Sequence, residues 1–237
     1  MSGEAGGLTA SVLTLNRGDL TICREIDLAV PHGEITVVLG ANGAGKSTLL
    51  DGLAGVVPVT TGAIHLDGVN LTKLPPHRRT ARGLAYVEQG RTVFSRLTVR
   101  QNLAVVDRSG AALERAFALF PRLAQRHDTR AGLLSGGEQQ MLVIARALAT
   151  RPSTLLVDEL SQGLAPHVVR TLMEALAALA AEGVGVLLVE QFAQLALQVG
   201  TTAHVLQQGR IVHSAPCAEL LADRDGLLTQ HYLGAAG

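Results

Sequence analysis

Val37–Gly55 reads VVLGANGAGKSTLLDGLAG. An apolar run ends in a glycine-rich turn carrying one lysine, and a second apolar run follows at once. Inside it, GANGAGKS fits G-x-x-x-x-G-K-[ST] at Gly40, Gly45, Lys46 and Ser47, with a strand pattern before it and a helix pattern after it, as the motif demands. Glycines there let backbone N–H groups turn inward around phosphate oxygens, and a helix opening near Lys46 adds its positive dipole end. Gly40, Ala41, Asn42, Gly43, Ala44, Gly45, Lys46, Ser47 and Thr48 are therefore candidate nucleotide-binding residues. In such a loop the lysine reaches the β- and γ-phosphates, and the Ser47 hydroxyl ligates Mg²⁺. The stretch predicts a strand–loop–helix unit holding a nucleoside triphosphate.

Outward from the loop, further short apolar runs lie at Leu84–Val87, Thr154–Val157 and Val184–Val189, most of them separated by helical patterns. That order predicts an α/β fold with a mostly parallel sheet. Ala63–Leu66 before Asp67-Gly68, and His204–Leu206 before Gln207-Gln208-Gly209, predict antiparallel hairpins at the flanks. Thr98 to Ala131 reads as an inserted helical segment with Leu113, Phe117, Leu119 and Phe120 on apolar positions.

Composition narrows the class. With 237 residues and 47% hydrophobic, the chain can bury a substantial core, although aromatics are only 3% and Trp is absent, so Leu, Val, Ala and Ile must fill it. A net charge of +0 advertises no nucleic-acid-binding face. Cys23 and Cys217 fit no metal spacing and are expected to be reduced. No apolar run reaches the roughly 20 residues of a membrane helix, and MSGEAGGLTA lacks the pattern of a signal peptide, so a soluble, cytoplasmic chain is expected.

LLSGGEQQ, Leu133–Gln140, is the second decisive stretch. Ser135 and Glu138 make a capping box for a helix running through Leu142, Ile144 and Leu148. A cap alone does not need Gly136 and Gly137, which cost about 1 kcal/mol each in helix propensity. Two glycines at a helix N-terminus let a phosphate approach the free N–H groups. A second anion site beside a phosphate loop suggests two subunits paired head to tail, each signature helix capping the γ-phosphate on the other's loop.

With LSGGE at Leu134–Glu138 after the phosphate loop, the chain resembles the ATP-binding cassette (ABC) family over nearly its whole length. The resemblance implies a P-loop NTPase cassette as a single domain over residues 1–237, with an antiparallel β subdomain and a helical subdomain at about 90–150. It implies ATP and Mg²⁺ as ligands. TLLVDE, Thr154–Glu159, is similar to the Walker B strand: Asp158 would hold Mg²⁺ through water, and Glu159 would polarise the attacking water. Gln89 in YVEQG matches the Q-loop glutamine, which senses Mg²⁺ and the γ-phosphate. Ser135, Gly136, Gly137 and Glu138 would serve the opposite subunit's ATP.

Within the family, GANGAGKSTLL, GRTVFSRLTVRQNL, LFPRL, SGGEQQMLVIARAL, LVEQ and GLAP resemble ATPase subunits of branched-chain amino acid importers. Urea and short-amide importers use similar subunits, and non-transport cassettes acting on nucleic acid or the ribosome are the alternative of a different class. The resemblance implies a second cassette subunit (identical or not), membrane permease subunits, indirectly an extracytoplasmic solute-binding protein, no nucleic acid, and a peripheral place on the cytoplasmic side of the membrane. Three positions depart from a generic cassette. Arg17 stands where an aromatic ring usually stacks on adenine, and either stacking or an exposed place on a hairpin fits it. Gln191 stands at the switch histidine and can hydrogen-bond a γ-phosphate without carrying charge. Ala165 stands at the D-loop aspartate. Finally, Val93, Phe94 and Leu97 are apolar on a loop before a Thr98/Gln101 capping box, as a socket for a permease helix or as core beneath the loop.

Overall fold

A computed structural model, describing residues 6–191 and 193–222, arranges the apolar runs as two sheets. β1 (Gly7–Arg17) and β2 (Leu20–Pro31) form a long antiparallel hairpin, extended by β4 (Val59–Leu66) and β5 (Val69–Asn70) in the order β2-β1-β4-β5. The second sheet runs β10-β9-β3-β8-β7-β6. It is built from β3 (Ile35–Leu39), β6 (Leu84–Val87), β7 (Thr154–Asp158), β8 (Gly185–Glu190), β9 (Thr202–Gln207) and β10 (Arg210–Pro216). All its neighbours are parallel except the β9–β10 hairpin. Both flanking hairpins expected from the turn residues are present.

The central strands are buried on both faces, as parallel strands between two layers must be. Their side chains divide with period two. Val38, Leu156, Leu187 and Val189 enter one core, shared with the antiparallel sheet and α1 (Lys46–Ala54). Val37, Leu39, Leu155, Val157, Val186 and Leu188 enter the other, shared with the helices. Those helices are α3 (Val99–Ala104), α4 (Ala111–Leu119), α5 (Pro121–Gln125), α6 (Gly136–Leu148), α7 (Pro166–Ala181), α8 (Ala193–Val199) and α9 (Cys217–Ala222), with the short α2 (Pro76–Thr80) beside β6.

The Thr98–Ala131 segment, expected to be helical, folds as three helices, α3, α4 and α5. Asp107 takes the backbone N–H groups of Ser109 at 2.8 Å and Ala112 at 3.1 Å, which turns the chain into α4, and Pro121 opens α5 as its first residue. The C-terminal end of α1 is held by Arg79, 2% exposed, whose guanidinium donates to the carbonyls of Gly52, Leu53, Thr72 and Leu74. Burial pulls its pKa down to about 10. Both cysteines are free and buried, and burial pushes the Cys23 thiol up to about 12 and Cys217 to about 11.

Candidate nucleotide and catalytic site

The loops that follow β3, β6, β7 and β8 leave the C-terminal ends of adjacent parallel strands, the edge where open α/β sheets collect ligands. The phosphate loop runs from β3 to α1. Gly45 caps the helix at φ 106°, a backbone an L side chain adopts only under strain. The β9–β10 turn braces the loop from outside through Gly209 N–H to the Ala44 carbonyl at 2.9 Å. Lys46 is 5% exposed, and its ammonium donates to the carbonyls of Gly40 at 2.8 Å and Ala41 at 3.1 Å. A cleft of about 450 Å³ opens there, lined among others by Asn42, Gly43, Gly45, Lys46, Ser47, Thr48, Gln89 and Glu159.

Glu159 leaves β7 at φ 44°, a left-handed conformation rare for a non-glycine residue and of a kind that collects at functional sites. Its backbone N–H is fixed to the Val189 carbonyl at 2.9 Å. One carboxylate oxygen lies 3.5 Å from Lys46 Nζ, and the other accepts from Gln89 Nε2 at 2.9 Å. The same Gln89 amide donates to Gln162 Oε1 at 3.1 Å. The sequence therefore brings Lys46, Ser47, Gln89 and Glu159 to one cleft, with Asp158 buried directly beneath.

Asp158 is 1% exposed, and neither of its carboxylate oxygens accepts a hydrogen bond of normal geometry among the described residues. Burial raises its pKa to about 6, offset only in part by the Ser47 hydroxyl and Lys46. The folded chain thus holds this proton more tightly than the unfolded chain. That contribution to stability is complete below about pH 4 and lost as pH rises through about 6. Asp158→Asn is accordingly expected to gain stability relative to the unsubstituted protein between pH 4.5 and pH 7.5, read from urea midpoints. A gap that is flat or shrinks with rising pH would contradict the assignment.

Gln191 follows the last residue of β8, and its N–H donates to Glu190 at 3.3 Å. Glu190 is fully buried and also accepts from Ser161 N–H at 3.0 Å and Ser161 Oγ at 2.6 Å, tying the end of β8 to the turn after β7. At the position of the D-loop aspartate, Ala165 caps α7 without a side-chain bond, and Pro166 occupies the first helical position.

Ser135–Glu138 stands apart. The capping box is complete: Ser135 N–H donates to Glu138 Oε2 at 2.8 Å, and Glu138 N–H to Ser135 Oγ at 3.3 Å. None of these four residues lines the phosphate-loop cleft of its own chain. The helix N-terminus with its two glycines thus lies outside the chain's own phosphate-loop cleft.

Arg17 ends β1 beside the phosphate loop. Its guanidinium donates to Thr48 Oγ1 at 3.0 Å and forms an ion pair with Asp51, which also accepts from Tyr86 at 3.2 Å. These bonds leave 52% of the side chain exposed, and a guanidinium can stack on a base. Arg17→Ala is expected to weaken ATP binding by about 0.5–2 kcal/mol, the cation–π range, in a calorimetric titration. Unchanged affinity would leave Arg17 only its ion pair. The residues that pattern reading missed here, Asp51 and Gln162, are found only through their partners.

Comparison with known proteins accords with this geometry. The ABC transporter family model matches residues 23–162. The chain is 44% identical to the high-affinity branched-chain amino acid transport ATP-binding protein BraG of Pseudomonas aeruginosa, covering 87% of this chain and 91% of BraG. It is 38% identical to the protein named "Probable branched-chain amino acid transport ATP-binding protein LivF" of Archaeoglobus fulgidus, covering 87% of this chain and 92% of LivF. Its fold superposes with TM-score 0.84 on cbiO1 of Clostridium perfringens, part of the ABC transporter complex cbiONQ, at 24% identity and covering 93% and 92% of the two chains. Phosphate loop, signature helix and sheet order converge with these likenesses: the chain belongs to the ABC transporter family, as an ATP-binding and ATP-hydrolysing subunit.

Proposed function

We propose that this subunit energises a membrane importer of branched-chain amino acids. The observation that carries the ATPase chemistry is the meeting of Lys46, Gln89 and Glu159 in one cleft above the buried Asp158. The loop N–H groups and Lys46 bind the phosphates, and Glu159, positioned by Gln89, takes the proton of the attacking water. Ser47, Asp158 and Gln89 would hold Mg²⁺: a buried carboxylate with unsatisfied oxygens suits a hard cation. Among the described residues no group of three His, Cys, Asp or Glu could hold a metal unaided, so phosphate oxygens would complete the shell. When bound, the ion supplies positive charge against the phosphates.

A second cassette, identical or not, would present Ser135–Glu138 to this nucleotide. The naming of BraG and LivF supports the solute class. No helix among the described residues is long and apolar enough to cross a membrane, which fits a peripheral subunit that reaches the bilayer through a permease. The cytoplasmic face, where ATP is available, is the side we assign. Uptake of labelled leucine by liposomes carrying the assembled transporter with internal ATP tests the solute. Urea uptake instead would favour an amide importer, and co-purification with nucleic acid in place of hydrophobic subunits would refute transport.

The permease socket is assigned to Phe94. It is 47% exposed, so it is not core beneath the loop. The fully buried Asn102 clips its backbone, accepting from Phe94 N–H at 3.0 Å and donating to the Phe94 carbonyl at 3.1 Å. From α6, Arg146 lies over the ring at 4.9 Å and donates to the Thr92 carbonyl at 2.6 Å. Thr92, Val106 and Arg146 share a groove of about 260 Å³. Phe94→Asp should leave the isolated subunit folded, within about 0.5 kcal/mol of its normal stability, and binding ATP. Assembly with the permease, followed by co-purification, should fail, and normal assembly and uptake would refute the socket.

A further inference from the structure

Behind Glu159, on the side away from the phosphate loop, lies a second polar cavity of about 380 Å³ between the loop after β6, α6 and the turn after β7. Glu159 and Gln162 line both this cavity and the nucleotide cleft, so the two spaces share a wall. Gln140 on α6 also lines it, and although this residue is only 4% exposed, its amide makes no hydrogen bond among the described residues. Its amide N–H₂ and oxygen are therefore left to whatever occupies the cavity.

Arg91 supplies the charge. Its guanidinium lies against Gly136, where an added Cβ would come within 2.5 Å of Nη1. Only Nη2 is engaged with carbonyls, at long distances of 3.5 Å to Gln162 and 3.4 Å to Gly163. It also sits beside the N-terminus of α6, where a cation opposes the helix dipole and an anion would relieve the conflict. Gln162 spends its oxygen on Gln89, which leaves its amide N–H₂ to donate.

We propose that this cavity holds inorganic phosphate leaving the catalytic site, with Arg91, Gln140 and Gln162 as its donors. The proposal rests on the reading of Glu159 as the residue beside the phosphate that is cleaved. Glu159 also lines this cavity, and its negative charge weakens the hold on an anion, as an exit site requires. Neither Arg91 nor Gln140 lines the phosphate-loop cleft.

Equilibrium dialysis of radiolabelled inorganic phosphate against the full chain, with ADP and Mg²⁺ saturating, tests it. Binding in the millimolar range is expected, weakened about tenfold by Arg91→Ala and several-fold by Gln140→Leu, for a charge-assisted and a neutral hydrogen bond lost. Arg91→Lys, which keeps the charge, should fall between. Equal phosphate binding in all four proteins, or none in the unsubstituted one, overturns the proposal. Arg91 is exposed, so Arg91→Ala carries the test even if Gln140→Leu fails to fold. A rapid-quench first turnover of ATP separates the two levels. No turnover by the unsubstituted protein is failure of the ATPase reading, whereas turnover with variant-independent phosphate binding is failure of the exit site alone.

Discussion

Glu159→Gln should bind ATP and hydrolyse it about 10²–10⁴-fold more slowly, the loss expected when a general base is removed. The substitution is nearly isosteric. The geometry around it survives: the Val189 carbonyl still holds the backbone, and the side-chain oxygen can still accept from Gln89. What disappears is the charge 3.5 Å from Lys46 and the capacity to take a proton from water. Loss of that negative charge also eases the approach of a nucleotide-bearing partner, so the variant should accumulate an ATP-bound dimer. Release of phosphate, followed continuously, is the measurement. Near-normal turnover would mean that another group activates the water.

The second large effect is expected at a residue outside the cleft of its own chain. Ser135→Arg removes the hydroxyl that caps α6 and places a bulky cation at the helix N-terminus. Loss of the cap costs about 0.5–2 kcal/mol of stability, which a melting curve will register. Nucleotide affinity of the monomer should stay nearly intact, because Ser135 does not line the phosphate-loop cleft. ATP-driven dimerisation, and hydrolysis with it, should be abolished. Affinity lost in the monomer would show that the signature helix serves its own site.

The site was legible in the sequence where function is written in short, local spacing. The phosphate loop, the capping box at Ser135 and Glu138, and the acidic end of β7 each occupy fewer than a dozen residues, and the structure places them as the spacing predicts. The long β1–β2 hairpin was harder to see. Val12 and Glu25 take positive φ at bulges, and the buried phase shifts from Leu8 and Ala10 to Leu13 and Leu15, and from Cys23 to Ile26, Leu28 and Val30. A period of two broken in mid-strand no longer reads as one strand. Arg17 was seen as a position, but its ion pair to Asp51, 34 residues away, was not. The same holds for Gln162, bonded to Gln89 across 73 residues. Such pairings are properties of the folded sheet edge, where distant loops meet.

In the proposed transporter, ATP is shared between the phosphate loop of one subunit and the signature helix of another. Light scattering on Glu159→Gln during gel filtration tests it directly. With ATP and Mg²⁺ the mass should be twice the 24.7 kDa of the single chain, and it should return to the single-chain value with ADP or when Ser135→Arg is added to the same chain. A mass that stays at one chain with ATP, or a dimer that forms equally well with ADP and with Ser135→Arg, would contradict it.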